Sequence, residues 1–384
     1  MFFSISREHQ ENFPNQYQMG PLVVNTDSGW AHRQVGSATV VYKGYADEFD
    51  LDENLDDIVL QTQPRHTGNF CVFVYLNNCL EIKTDRYRSF PIYIGDSITN
   101  LVTSSRTAWT DSLVTVHNDL AVTERKFDVI GKIETTELTR QQVISAIVDL
   151  LDKKTQAFLA HNTRPINVYL SGGVDSLLVY SFLQKHTDQY NLVKCSHVDY
   201  DYFWLKNSSD ICNHWGYTQI HHWTTPCMLT SGAPGDEFML RSPTTGNMLL
   251  MHHNVNIFDL LEQTECLHKK YFLRDKHIKL FQHMLDNEPP IQDQNMLFKQ
   301  MCNINLNDWQ HWHIGNTLTW TPLRDLEIFK LFLRLPLGDA TGQLLDSKIS
   351  LDIIEYNCPG LSHAVSDQKN TANPLANLVG ILNL

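Results

Sequence analysis

The peptide Val168-Tyr169-Leu170-Ser171-Gly172-Gly173-Val174-Asp175-Ser176 constrains the fold more than any other stretch of this chain. Residues 166–170 read as a short buried strand, and residues 176–186 as the helix that follows. Between them, two glycines permit a tight turn and a close approach of the backbone to a ligand. Residues 191–197 (Asn-Leu-Val-Lys-Cys-Ser-His) read as a second strand. A strand, a crossover helix and a second strand make a parallel βαβ unit. Ligands of such sheets bind at the carboxyl ends of the strands, which is where this peptide falls.

The same peptide carries chemistry. Successive backbone N–H groups in a glycine turn form an anion nest, and the helix amino end adds partial positive charge. Ser171 and Ser176 can donate to phosphate oxygens. Asp175 would repel an anion there unless a cation bridges the two, which points to Mg²⁺. A lone Gly-Gly after a strand would be an ordinary strand–turn–helix corner. The full Ser-Gly-Gly-Val-Asp-Ser string in this context is more specific, and it marks residues 171–176 as a phosphate-binding set.

The rest of the chain divides around this unit. About the first 125 residues are β-rich: residues 37–42, 69–75 and 92–94 carry β-branched and aromatic residues between Gly, Asn and Asp breaks. The acidic residues 47–57 read as a solvated loop. Residues 138–160 place Val143, Ile147, Leu150, Leu151 and Phe158 on one helical stripe, with Thr139 as the cap. From about residue 246 the pattern is mostly helical, and no internal repeat occurs. The expected architecture is α/β: an antiparallel β-rich domain over residues 1–130, then a parallel-sheet domain over residues 131–384.

Composition excludes several classes. With 42% apolar and 19% charged residues the chain can build a core and is not disordered. A formal net charge of −13 disfavours broad nucleic-acid binding, which needs Lys and Arg against phosphates. No apolar run reaches membrane-span length, and no secretory leader is recognisable, so neither a membrane nor export is expected. Eight cysteines without a Cys-x-x-Cys pair read as reduced thiols in the cytoplasm. Oligomeric state is left open, a homo-oligomer included.

The Ser171–Ser176 string resembles the pyrophosphate-binding loop of the ATP pyrophosphatases, a group that includes asparagine, GMP and NAD synthetases. Three further stretches resemble the asparagine-synthetase branch. Gly68-Asn69-Phe70, Asp85-Arg86-Tyr87-Arg88-Ser89-Phe90-Pro91-Ile92-Tyr93, residues 101–105 and Ala108 are similar to its amino-terminal glutaminase domain, which has an Ntn-like fold. Ser231-Gly232-Ala233-Pro234-Gly235-Asp236-Glu237-Phe238 is similar to the loop that faces the pyrophosphate. Trp320-Thr321-Pro322-Leu323-Arg324-Asp325, continuing to Leu335-Pro336, is similar to a later segment of the synthetase domain. The resemblance implies ATP and Mg²⁺ as cofactors, and an AMP-forming carbon–nitrogen ligase as the activity. It implies that Ser171, Gly172, Gly173, Val174, Asp175, Ser176 and Gly232 hold the nucleotide. It implies Asp175 and Asp236 as metal ligands, and a late lysine at the acyl-transfer step, for which Lys369 is preferred over Lys348.

The chain also departs from that family. Active glutaminase domains carry a Cys directly after the initiator Met, whereas this chain begins Met1-Phe2-Phe3, with its first cysteine at Cys71 inside an expected strand. The segments that hold glutamine are missing too. The amino-terminal domain is therefore expected to be a degenerate version of it, as in β-lactam synthetase and the lasso-peptide macrolactam synthetases. Those enzymes use an amine already present on the substrate. Ala233 and Pro234 are unusual for the second loop, and the stretch between the two loops is shorter than usual in the family.

The expected function is thus adenylation of a small-molecule or peptide carboxylate, then transfer to an amine. Two other functions stay open: modification of a nucleotide or tRNA base by the same ATP chemistry, and a non-catalytic ATP-binding scaffold. The rings of Tyr200, Tyr202, Phe203 and Trp204 either stack on a nucleobase or fill core. The histidine pairs His221-His222, His252-His253 and His311/His313, with Cys266/His268, lack the spacing of a closed zinc site and read as surface or packed residues.

Overall fold

A computed structural model describes residues 3–90, 92–95, 98–99, 106–107, 112–127, 134, 136–170, 173–194, 226–230, 232, 235–241 and 317–364. It is mixed α/β, with antiparallel sheets in the first part and a four-stranded parallel sheet in the second.

The first part contains β1 (Phe3–Ser6), β2 (Asn15–Met19), β3 (Leu22–Thr26), β4 (Ala31–Val35), β5 (Ala38–Ala46), α1 (Leu55–Leu60), β6 (Gly68–Leu76), β7 (Cys79–Thr84), β8 (Tyr93–Ile94), β9 (Ile98–Thr99), β10 (Arg106–Thr107), β11 (Ser112–His117) and β12 (Val122–Lys126). One sheet has the order β10-β8-β9-β1-β3-β2, the other β12-β11-β7-β6-β5-β4. Phe3, Ile5, Leu22 and Val24 of the first face Val41, Cys71, Phe73 and Ile82 of the second across a common core. The alternate residues of the second sheet, Val40, Tyr42, Phe70, Val72 and Val74, are buried on its outer face. Burial on both faces is why β5 and β6 read as continuous apolar runs and not as alternating ones. The β6–β7 turn is Asn77-Asn78, both at positive φ, 51° and 63°. That is the two-residue geometry matching strand twist, and it sets the register with Leu76 opposite Cys79.

The acidic residues 47–57 are not the solvated loop that their charge predicts. Leu51, Leu55 and Ile58 pack on the outer face of the second sheet, and Asp47 is buried. Their i, i+4, i+7 spacing puts three apolar side chains on one side while the acids point away. The charge density concealed that spacing.

The second part contains α2 (Arg140–His161), β13 (Ile166–Leu170), α3 (Val174–His186), β14 (Asn191–Lys194), β15 (Cys227–Thr230), α4 (Gly235–Phe238), β16 (Thr317–Trp320), α5 (Leu326–Leu333), α6 (Leu337–Asp346) and α7 (Lys348–Asn357). Helix α2 starts at Arg140 because Thr139 and Gln142 form a reciprocal capping box. Its Val143, Ile147, Leu151 and Phe158 enter the core as expected, and Leu150 packs at the edge. The Phe158 ring stacks on Trp320 at 4.0 Å, tying α2 to β16. Among the described residues no helix is long and apolar enough to cross a membrane.

The four strands are parallel, in the order β14-β13-β15-β16. The chain passes from β13 to β14 on one side, and β15 then docks on the other side of β13. A reversal of this kind marks the carboxyl ends of β13 and β15 as the place where ligands of parallel sheets bind.

Polar contacts join the two parts. The Arg324 guanidinium donates to Gly68 O, Asn69 Oδ1 and Ser89 Oγ. Tyr87 Oη accepts from Leu326 N at 2.7 Å, and its ring meets Phe238. Lys154 Nζ lies 2.9 Å from Asp325 and 3.3 Å from Asp47, all three side chains buried.

Candidate functional site

The site is built where two strands end. Strand β13 ends at Leu170 and α3 is capped at Gly173; Ser171 and Gly172 lie outside the described residues. Gly173 is the N-cap of α3, with extended ψ of 158° and no side chain to close the helix end. Helix α3 begins at Val174, two residues earlier than the sequence predicts. The Val174 side chain is buried in the core, so only its backbone can face a ligand. Ser176 Oγ donates to Gly173 O at 2.9 Å, tightening the first turn. Asp175 projects from that turn.

The second loop follows β15, whose Thr230 Oγ1 donates to Trp320 O at 3.0 Å and holds β15 against β16. Gly235 N donates to Gly232 O at 2.7 Å, closing a turn that leads into α4. This turn is pressed against the first loop. A Cβ on Gly232 would overlap the backbone of Asp175 and Ser176, and one on Gly235 would lie 2.5 Å from Asp175 Cγ. At Gly232 only glycine fits, because the obstacle is backbone; at Gly235 a side chain would have to displace that of Asp175. The two glycine-containing peptides, 60 positions apart in the sequence numbering of their serines, are thus one surface. Asp236 lies on α4, and its side chain is outside the described atoms, as are Ser231, Ala233 and Pro234.

Electrostatically the site pairs acid with base. Asp175 Oδ1 is 2.6 Å from Arg241 Nη1, and Arg241 Nε donates to Ser347 Oγ at 2.8 Å. Arg241 was not among the residues singled out from the sequence. The signal for it is a lone cation after the apolar Phe238-Met239-Leu240 run that ends the second loop. The donor set suits a nucleotide with its cation: a side-chain-free helix amino end for phosphate, and a carboxylate for Mg²⁺. Among the described residues no three His, Cys, Asp or Glu side chains cluster. Mg²⁺ commonly takes only one or two carboxylates and completes its shell with substrate phosphates and water.

Of the other expected residues, Lys369, the 200–204 aromatic run, Cys266/His268 and every histidine pair lie outside the described residues. Lys348 is exposed at the start of α7. In the antiparallel part, Cys71 is fully buried in β6, and burial pushes its thiol well above the ordinary range. That is the opposite of how a nucleophilic thiol is activated. Asp85 is also fully buried. Burial pushes its carboxyl up, against the pull of Arg324 and of the Ser89 and Tyr87 donors. Arg324 itself stands against Gly68, Asn69 and Ser89, all of them in the stretches that resemble the glutaminase domain. Lys154 is a further residue the sequence did not single out, and Arg324 was read only as part of the 320–325 resemblance, because the partners of both are distant in the chain. No protein-family model matches the chain, and no curated protein matches it.

Proposed function

We propose that this chain is an AMP-forming carbon–nitrogen ligase of the ATP pyrophosphatase kind, with an Ntn-like amino-terminal domain that has lost glutaminase chemistry. One observation carries the proposal: the Gly232–Gly235 turn is fitted to Asp175 at the carboxyl ends of two adjacent parallel strands. An ordinary strand–turn–helix corner does not need a second glycine turn seated on it.

In this reading ATP lies with its phosphates on residues 171–176 and against Gly232. Asp175 and Asp236 would hold Mg²⁺, which offsets the charge that develops on the phosphates. A carboxylate oxygen of the substrate attacks the α-phosphorus. The bond from that phosphorus to the bridging oxygen breaks, and pyrophosphate leaves with the electron pair. An amine then attacks the acyl carbon, loses a proton, and AMP departs. Lys369 is the proposed cation for the tetrahedral oxyanion of that second step. The buried Cys71 supports an amine that comes with the substrate or from solution.

The test is exchange of labelled pyrophosphate into ATP across a panel of amino acids and peptides. Exchange that depends on one carboxylic acid is expected, and Asp175→Ala should lower it by about 100-fold or more. Full exchange in Asp175→Ala would sink the mechanism. Nucleotide binding with no exchange for any acid would favour the scaffold.

A further inference from the structure

Tyr87 lies between β7 and β8, so it belongs to the antiparallel part by sequence and to the parallel part by packing. It is 1% exposed, and its ring is part of the hydrophobic core of the parallel part. Its backbone N donates to Asp85 Oδ1 at 3.0 Å, and Asp85 Oδ2 accepts from Ser89 N at 2.9 Å, which fixes the turn that carries the ring. Its Oη accepts from Leu326 N at 2.7 Å, at the first residue of α5. The Arg324 guanidinium lies 5.7 Å from the ring centroid. The Phe238 ring meets it edge-on, with centroids 5.6 Å apart and planes at 71°.

Phe238 connects Tyr87 to the site. It is fully buried and ends α4, the four-residue helix that starts at Gly235. Met239 N donates to Gly235 O at 2.8 Å, so Phe238 and Gly235 share one hydrogen-bonded helical turn. The far end of that turn abuts the Asp175 carboxyl group. Helix α5, which Tyr87 holds through Leu326, packs on α4 as well.

We infer that Tyr87 is a positioning residue: from the antiparallel part, it sets where the second glycine turn sits against Asp175. Its effect on the reaction rests on the ligase reading above. One helical turn is unfavourable in isolation, so α4 takes its place from what its apolar residues pack against. An edge-to-face ring contact is directional, so the Tyr87 ring limits where Phe238, and with it Gly235, can lie. A misplacement of about 1 Å near reacting groups can cost about 100-fold in rate. The two ends of the side chain have separate tasks: the ring holds α4, and the hydroxyl holds α5.

The test uses the full chain, with amide hydrogen exchange and pyrophosphate exchange measured on the same samples. Tyr87→Leu should speed amide exchange in residues 232–239 by about 10-fold and leave β2 and β3 unchanged. Pyrophosphate exchange should fall by about 10-fold in that variant. Tyr87→Phe keeps the ring and should hold both readouts within about twofold of the unaltered chain. Phe238→Leu removes the other ring of the pair and should reproduce the Tyr87→Leu pattern, and the double variant should add little to either. Phe238→Leu also carries the test if Tyr87→Leu does not fold. A merely structural tyrosine would lose protection evenly along the chain and leave pyrophosphate exchange of the folded protein unaltered. Even loss, unchanged protection at 232–239, or faster amide exchange with unaltered pyrophosphate exchange overturns the positioning role and leaves the ligase reading standing. No pyrophosphate exchange by the unaltered chain with any acid overturns the ligase reading and the rate effect together.

Discussion

Gly232 is defined by what surrounds it. A single added carbon would strike Asp175 C and Ser176 N, which are backbone atoms and cannot rotate away. Gly232→Ala should therefore push the two loops apart, cost about 1–3 kcal/mol of stability by overpacking, and reduce pyrophosphate exchange. Gly338 in α6 is the control, since a Cβ there meets nothing within 4 Å. Gly338→Ala should leave exchange unchanged and raise stability by about 0.4–1 kcal/mol. Urea denaturation and exchange assays on both variants check the pair, and equal behaviour of the two glycines would refute the close-packing argument. The Ser-Gly-Gly-Val-Asp-Ser peptide was legible from its residues because its turn and helix start are local. The close contact that excludes a side chain at Gly232 was not, because Asp175 and Ser176 stand in the first turn of α3, far away in the chain.

Helices α2 and α3 are joined near their surface by Asp152, which accepts from Lys185 and His186 in the last turn of α3. Lys185 also sits where the helix dipole favours positive charge. Burial alone would raise the Asp152 carboxyl, but the hydrogen bonds from Lys185 and His186 outweigh it and hold the group below its ordinary range. A carboxyl lowered on folding stabilises the folded chain above the unfolded value of about 3.9, and that contribution is lost as pH falls through the folded value. Asp152→Asn should therefore be less stable than the unaltered chain at pH 6, with the gap closing below about pH 4. Urea midpoints measured from pH 3 to 6 check this; a gap that is constant with pH would contradict it. At this scale the sequence reading succeeded where a signal was periodic or local, as in the Thr139 cap and the 166–170 strand. It failed at residues 47–57, where acids outnumber Leu51 and Leu55, which with the following Ile58 decide burial.

The whole molecule is held by a polar seam between its antiparallel and parallel parts. Lys154 of α2 bridges Asp47, beyond β5, and Asp325, the N-cap of α5. Burial by itself would lower the Lys154 ammonium, but the two carboxylates raise it above its ordinary value, so it stays charged. Lys154→Met would leave two buried carboxylates without that cation. A loss of about 3–5 kcal/mol is expected. Chemical denaturation at pH 7 measures it, and a loss under about 1 kcal/mol would place the seam among surface pairs. Arg324 belongs to the same seam. By occupying Gly68 O, Asn69 and Ser89 it ties the loop after β16 to the antiparallel part. The antiparallel part thus braces the segment 321–325, which leaves the parallel sheet at the same end as the two glycine loops.

What could be read along the chain is whatever one stretch of backbone settles alone: the strand at 166–170 and the helix that follows it, the capped helix after Thr139, and the apolar strands of the first part. Hydrogen bonds within a helix, glycine turns and apolar periodicity act over a few residues, so they leave a local trace. Tertiary structure alone decided that Gly232 lies on Asp175, that Arg241 holds that carboxylate, that Lys154 and Arg324 join the two parts, and that the acidic stretch covers a sheet. Each of these depends on groups brought together by sheet order and helix packing. Burial then turns a weak pairing of charges into a strong one, and no spacing along the sequence records which charges will meet.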